Sequence, residues 1–311
     1  MNWRMKAMVQ NLVDSLPPRL AYPAYYRLQR TFGGLRKGRI DPTPNFDSVS
    51  RLVDLLAEQG HSVRGARVLE VGTGRAVHTP LAFWLCGADK VYTVDLNPYL
   101  IGELVKESVD YIRENRAAVE QLFGAKAQDP LFQERLDRLI ATPRDLQQIL
   151  RLTNIEYLAP ADATRIDLPD GSIDIHVSIN VLEHIPGDVI TAILAEARRL
   201  LRPGGLVTHY VDPSDHFSHS DSNITAINFL QFDDDAWDRL AGNRFMYHNR
   251  LRAYEVMELF ERLDYTIEHT EETTDPDSLN LLNRGFPLTQ RYRGVSPSKL
   301  AVSRILIIGK R

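Results

Sequence analysis

The sequence predicts an α/β fold, a doubly wound and mainly parallel sheet of seven strands. Two observations carry this reading. Short apolar runs alternate with amphipathic stretches along the chain, and the first apolar run leads straight into a glycine turn, VGTG at 71–74. A third feature, a charged and helix-patterned tract at 99–152, is too long for an ordinary strand connection. It predicts a helical cap inserted above the sheet.

The elements follow in order. MKAMVQNLVDSL (5–16) has the spacing of a short amphipathic helix, stopped by Pro17 and Pro18. FDSVSRLVDLLAEQG (46–60) places apolar residues three and four apart and ends on Gly60, as a helix does. RVLEVGTG (67–74) is a buried strand entering a turn, and a helix follows over roughly 78–86. KVYTVDLNP (90–98) is the second strand, and the helical tract comes next. IEYLAPAD (155–162) and SIDIHVSIN (172–180) are the third and fourth strands. An amphipathic helix over 188–201 closes at RPGG, before GLVTHYVD (205–212) as the fifth strand. Helices near 233–241 and 253–263 precede two last strands, 264–272 and 303–310. Residues 1–45 read as a basic N-terminal extension, and 46–311 as one domain carrying the insertion.

Composition narrows the class. With 311 residues, 43% of them hydrophobic and 25% charged, the chain is large enough for a full core. Cys86 is the only cysteine, which excludes an intrachain disulfide and fits a reducing compartment. No apolar run approaches the roughly 20 residues that span a bilayer, and no signal-peptide pattern opens the chain. A soluble, cytoplasmic protein is expected. The net charge of −4 disfavours nucleic acid as a partner. Residues 1–41 are the local exception, with eight basic side chains against Asp14 and Asp41, and with Trp3, Tyr22, Tyr25, Tyr26 and Phe32 interleaved. That segment either packs on an acidic body or meets an anionic membrane or a phosphorylated substrate.

The chemistry gathers at strand ends, where open α/β sheets bind ligands. Gly72 and Gly74 permit a sharp turn and close approach of a ligand. Asp95 ends the second strand, 21 residues past Gly74, where a carboxylate chelates two ribose hydroxyls or else caps a turn. Nicotinamide dehydrogenases and methyltransferases share this pair. Here Val77 stands where a third glycine would complete the pyrophosphate-binding turn. Glu70 lies inside the first strand, where a buried carboxylate calls for a cation or hydrogen-bond donors.

Glu70–Arg75 (EVGTGR), Asp95, Asp162, DLPDGSID (167–174), NVLEHI (180–185) and LRPGG (201–205) together resemble the class I S-adenosylmethionine-dependent methyltransferases. The resemblance spans about 65–211, with the helical tract as a departure. It implies a Rossmann-like sheet and S-adenosylmethionine as cofactor. By the same resemblance Glu70 holds the methionine ammonium, and Gly72 and Gly74 pass under the methionyl and ribose parts. Asp95 takes the ribose hydroxyls, Leu96 flanks adenine, Asp162 accepts from the adenine amine and Ala163 gives a backbone donor. Asn180 faces the methionine near the sulfonium, while Arg75 and His78 either reach its carboxylate or lie at the surface. More loosely, DHFSHSD, NFLQFDDDAW and NRLR resemble bacterial methyltransferases of sugars and specialised metabolites.

DPSDHFSHSD (212–221) follows the fifth strand and holds two histidines and three aspartates. Methyl transfer to a hydroxyl needs a general base or a metal, because the donor is already activated. His216 is the leading base, with Asp212 orienting it or sharing the role and His219 in reserve. Glu183 and His184 are second candidates, or anchor their loop. A Mg²⁺ site built from Asn180 and Asp212, completed by Asp215 or Asp221, is the metal alternative. A structural polar loop is the third. Arg244, His248, Arg250, Arg252, Arg284, Arg291 and Arg293 suit an anionic or sugar acceptor, or pair with the acidic runs at 233–235 and 271–272. Trp237 reads as core. The expected activity is O-methylation of a small polar or glycan acceptor. The alternatives are N- or C-methylation, or binding without catalysis.

Overall fold

The computed structural model of the protein describes residues 2–142 and 145–311. The elements run α1 (Trp3–Asp14), α2 (Pro18–Thr31), α3 (Thr43–Glu58), β1 (Arg67–Val71), α4 (His78–Leu85), β2 (Lys90–Val94), α5 (Gly102–Glu114), α6 (Arg116–Phe123), α7 (Pro130–Ala141) and α8 (Leu146–Leu152). There follow β3 (Ile155–Leu158), β4 (Ile173–Ile179), α9 (Gly187–Leu200), β5 (Leu201–Val211), α10 (Asp234–Ala241), α11 (Ala253–Glu261), β6 (Thr266–Thr274), α12 (Pro276–Asn283), α13 (Pro297–Leu300) and β7 (Val302–Lys310). The seven strands form one sheet in the order β3-β2-β1-β4-β5-β7-β6. β1 pairs in parallel with β2 and β4, β2 pairs in parallel with β3, and β6 and β7 are antiparallel.

The chain divides into two compact units. One comprises 33–179, 195–208 and Arg311. Its strands read as near-continuous apolar runs because both faces of a parallel sheet are covered. Val68, Leu69, Val91, Ile175 and Val177 are all at most 2% exposed. The tract at 99–152 is helical as expected, in four helices with an intervening 3₁₀ turn. α5 begins beside the glycine turn, where the Ile101 amide donates to the Arg75 carbonyl at 3.1 Å. α6 and α7 pack sideways on α3 and α4. Phe123 meets Phe46 at 5.5 Å between ring centroids, and Arg135 donates to the carbonyls of Trp84 and Ala88.

The other unit comprises 1–32, 180–194 and 209–310. Trp3, Phe217, Phe229, Trp237, Tyr292 and Leu300 form its apolar centre, so Trp237 is core as read. Trp3 and Ala7 join this centre and residues 2–32 belong to this unit, whereas α3 starts at Thr43 in the other unit; the basic stretch is thus divided between two bodies. Pro17 and Pro18 stop α1 and open α2, a helix the sequence pattern did not suggest. Proline at the first helical position forfeits an amide that has no partner there anyway. β5 starts at Leu201, earlier than the RPGG turn implied.

Candidate active site

The first cluster is built by the parallel ladder. Glu70 lies opposite Thr93 in the register of β1 and β2, so the Thr93 hydroxyl donates to its carboxylate. Thr73 and Thr93 share a hydrogen bond of 2.6 Å beside them. Glu70 is only 4% exposed, and burial pushes its carboxyl up to about 8. Gly72 and Gly74 both hold positive φ, 90° and 64°, which L side chains adopt only with strain. Space is open around the Cβ position of Gly74, so backbone conformation, not crowding, calls for glycine there.

Asp95 stands just past β2. One oxygen accepts the Gly74 amide at 3.0 Å and the other the Asn97 amide at 3.1 Å. It therefore ties the glycine turn to the end of β2. Burial raises its pKa, and the two amides oppose that rise. The Ala161 amide donates to the Asp95 carbonyl at 3.0 Å and brings the 160–164 loop alongside. There Asp162 turns back on itself, accepting the amide and hydroxyl of Thr164 at 2.9 and 2.8 Å. Leu96 is 68% exposed, an apolar side chain offered to whatever lies against that edge. Ala163 is half-buried. His78 donates to or accepts from Ser108 at 2.7 Å, and burial holds its ring down at about 4. It is engaged with α5, which removes the reading of a surface residue.

The second cluster belongs to the other unit. Asn180 follows β4 with φ of 55°, its amide bonded to the Tyr210 carbonyl at 2.9 Å, and this left-handed residue turns the chain into the 182–184 loop. That loop is stapled by Asn249, whose side chain donates to the carbonyls of Leu182 and Ile185 at 2.7 Å each. The three aspartates of 212–221 have separate jobs. Asp215 accepts the Phe217 amide and the Asn228 side chain, both at 2.9 Å. Asp221 accepts the Trp3 amide at 2.8 Å and the Asn223 amide at 3.1 Å. Both carboxylates bond donors at each oxygen and hold the loop in shape, a structural role in place of the Mg²⁺ ligation expected of them.

Asp212 alone faces the histidines. One of its oxygens accepts the Ser214 amide, and the other lies 3.6 Å from His216 Nε2 and 3.5 Å from His219 Nε2. The two imidazoles stack at 4.9 Å. His184 and His248 meet His216 edge-on at 4.9 and 4.8 Å, so four imidazoles pack together. Burial, with His184 nearby, pushes the His216 ring down to about 4. Glu183 is buried beneath, one oxygen 4.0 Å from His216 Nε2. Its carboxyl lies well above the usual range because of burial. His219 is open to solvent and also meets Ser214 at 3.2 Å.

The expected residues thus fall into two sets, Glu70, Gly72, Gly74, Asp95, Leu96, Asp162 and Ala163 in one unit, and Asn180, Asp212, His216 and His219 in the other. His248 was noted only among arginines, and nothing in its spacing marked it as a neighbour of His216. Four of those arginines, Arg244, Arg250, Arg252 and Arg291, are engaged within the fold, whereas Arg284 and Arg293 are exposed. Arg250 reaches the carbonyls of Phe229 and Phe232 and the carboxylate of Asp234. Arg291 also meets Asp234, and Arg244 meets Asp14. Arg252 is fully buried and donates to the carbonyls of Pro213, Leu300 and Val302.

A family model described as a methyltransferase domain matches residues 43–270. No curated protein matches the chain in sequence. Among solved structures, it is similar to magnesium protoporphyrin IX methyltransferase from Synechocystis PCC 6803 with bound S-adenosylhomocysteine. Identity there is 12%, each chain is covered completely, and the TM-score is 0.48. It is also similar to the PH0226 protein of Pyrococcus horikoshii OT3, at 14% identity, coverage of 92% and 98%, and a TM-score of 0.48. A 1,6-didemethyltoxoflavin-N1-methyltransferase from Burkholderia thailandensis shares 15% identity over 93% and 85%, with a TM-score of 0.44. With the family model covering most of the chain, and with the strand order, glycine turn and Asp95 as described, the chain belongs to the methyltransferase domain family as a class I enzyme dependent on S-adenosylmethionine.

Proposed function

We propose that the enzyme transfers the methyl group to a hydroxyl of a small polar acceptor, a sugar or specialised metabolite, with proton removal at the Asp212 cluster. The observation that carries this is one carboxylate oxygen of Asp212 shared between two imidazoles, His216 and His219. A hydroxyl must lose its proton as the new C–O bond forms, and an imidazole beside a carboxylate is suited to accept it. His216 is neutral at neutral pH, since burial holds it near 4. It is free to accept a hydrogen bond, while the exposed His219 passes the proton to water.

S-Adenosylmethionine supplies the activated methyl group. In this reading Glu70 takes its ammonium and Asp95 its ribose hydroxyls. Gly72 and Gly74 pass beneath it, Leu96 covers the adenine, and Asp162 and Ala163 read the adenine edge. Asn180 is assigned to the methionine moiety by the same reading. A buried carboxyl raised to about 8 fits a cationic group, which would return it to the charged form.

Asp212→Ala, His216→Ala and His219→Ala are tested with a panel of hydroxylated acceptors. Losses of about 10²–10⁴ in kcat at the two residues that move the proton, with cofactor affinity unchanged, support the reading. Full turnover in all three variants at saturating acceptor overturns it and favours an amine or carbon acceptor, which needs no base.

A further inference from the structure

Glu183 is 1% exposed, yet neither of its carboxylate oxygens has a hydrogen-bond partner, and His216 Nε2 has none either. Burying such groups unpaired is costly. A carboxylate oxygen of Glu183 and one ring nitrogen each of His184 and His216 lie within 4.8 Å of one another. His184 Nδ1 donates to the Tyr247 carbonyl at 2.8 Å, which leaves the Nε2 lone pair directed elsewhere. Metal-bound histidines are oriented by the same kind of backbone contact. His248 is not a ligand, because the Arg250 amide donates to its Nδ1 at 3.2 Å and the proton must sit on Nε2. Bonds of about 2.1 Å in a tetrahedral site place ligand atoms about 3.4 Å apart. The Asp212–His216 separation of 3.6 Å and the Glu183–His216 separation of 4.0 Å need only small side-chain rotations to reach that.

We propose that Glu183, His184 and His216, with Asp212 adjacent, bind a divalent transition-metal ion. Two imidazoles with carboxylates select Zn²⁺, Mn²⁺ or Co²⁺ over Mg²⁺. The catalytic role of the ion rests on the proposed hydroxyl acceptor and gives that site its activating group. The acceptor oxygen binds the cation and its pKa falls. Its proton passes to the Asp212–His219 pair and on to water. An oxygen lone pair then forms the bond to the methyl carbon while the carbon–sulfur bond breaks, its electrons remaining on sulfur. His216 holds the ion in this scheme, and His219 carries the proton.

Untagged full-length protein, freed of metal with a chelator, is titrated calorimetrically with Zn²⁺ and, in parallel, with Co²⁺ followed by visible absorption. One-to-one binding, weakened at least about tenfold in Glu183→Gln and His184→Ala, is expected. Unfolding midpoints and cofactor titrations on each variant report whether the fold and the other cluster are intact. No binding, or equal affinity in both variants, overturns the site. Methylation that withstands complete chelation overturns the ion's catalytic role and leaves methyl transfer standing. Specific metal binding without methylation of any hydroxyl overturns the acceptor reading and leaves the metal site standing.

A separate observation concerns α1. Its inner face buries Trp3, Ala7, Gln10 and Val13. Its outer face carries a second apolar stripe, Met5, Met8, Val9 and Leu12, exposed by 57%, 64%, 42% and 70%. Spacings of three and four make this a continuous seam. Arg4, Arg19 and Arg27 stand exposed on α1 and α2, and Asp14, the only acidic residue of 2–32, is paired with Arg244. We infer that this face lies on an anionic lipid surface, the apolar seam among the acyl chains and the arginines at the headgroups. Vesicles of phosphatidylcholine with phosphatidylserine should sediment the protein, pure phosphatidylcholine far less, and Met8→Glu with Leu12→Glu should release it. Equal sedimentation by both vesicle types, or a dimer that the same substitutions dissociate, overturns the lipid assignment; in the second case the seam meets another copy of the chain.

Discussion

At Glu70 folding and binding make opposite demands. The carboxyl has an ordinary value of 4.5 and is held at about 8 in the folded chain. Because the folded value is the higher, its contribution is fully present below about pH 4.5 and is lost as pH rises towards 8. The loss is about 5 kcal/mol, from the stated shift at about 1.36 kcal/mol per unit. Glu70→Gln should therefore raise the unfolding midpoint of the ligand-free enzyme at pH 8, measured by differential scanning calorimetry. The same variant should bind S-adenosylmethionine at least about tenfold more weakly, through the lost charge-assisted bond. For the wild type, affinity should rise between pH 6 and 8 as the carboxylate forms, and calorimetric titration across that window checks the sign. Asp95→Ala removes the partner of the Gly74 amide and, on the proposed reading, the ribose acceptor. Its affinity should fall about 30-fold or more, corresponding to roughly 2 kcal/mol or above.

Among the elements, the 212–221 loop owes its shape to residues remote in sequence. Arg252 joins it to the end of α13 and the start of β7 through the carbonyls of Pro213, Leu300 and Val302. A planar guanidinium serves three carbonyls at fixed angles, and an ammonium does not. Arg252→Lys should lower the unfolding free energy by about 2–4 kcal/mol, read from urea denaturation. The loop's histidines should lose acceptor turnover in proportion. The apolar rhythm of α3, α9 and α11 was legible because a half-buried helix repeats its contacts every three or four residues. α2 was not, since its arginines and prolines blur that rhythm and its packing against α1 and Phe245 is decided in three dimensions.

For the whole molecule, a ligand that binds only the folded state stabilises it by mass action, about 2.7 kcal/mol at a hundred times its Kd. Saturating S-adenosylmethionine should raise the wild-type midpoint by several degrees and move Asp95→Ala far less at the same concentration. No described helix is long and apolar enough to cross a membrane. α1 has 12 residues, too few to span a bilayer, so its proposed lipid contact is one of surface adhesion, and high salt should weaken it.

By itself the sequence determined the strands and their order along the chain, and it placed Glu70, Gly72, Gly74, Asp95, Leu96, Asp162 and Ala163 at or near strand ends. Those residues follow strands closely, and a short strand–turn carries its geometry in local spacing. It also determined that Asp212, His216 and His219 stand together, being within one turn-rich decade of residues. Tertiary structure alone decided the rest. It divided the aspartates into two whose oxygens are all taken up in holding the loop and one that keeps an oxygen toward the imidazoles, and it set His248 and Glu183 against His216 across large gaps in sequence. It also spent Arg250 and Arg252 on carbonyls and Arg250 and Arg291 on Asp234. The physical reason is common to all of these: whether a charged side chain is free for chemistry depends on which donors, acceptors and solvent surround it, and those neighbours are supplied by chain folding over distances that local pattern does not encode.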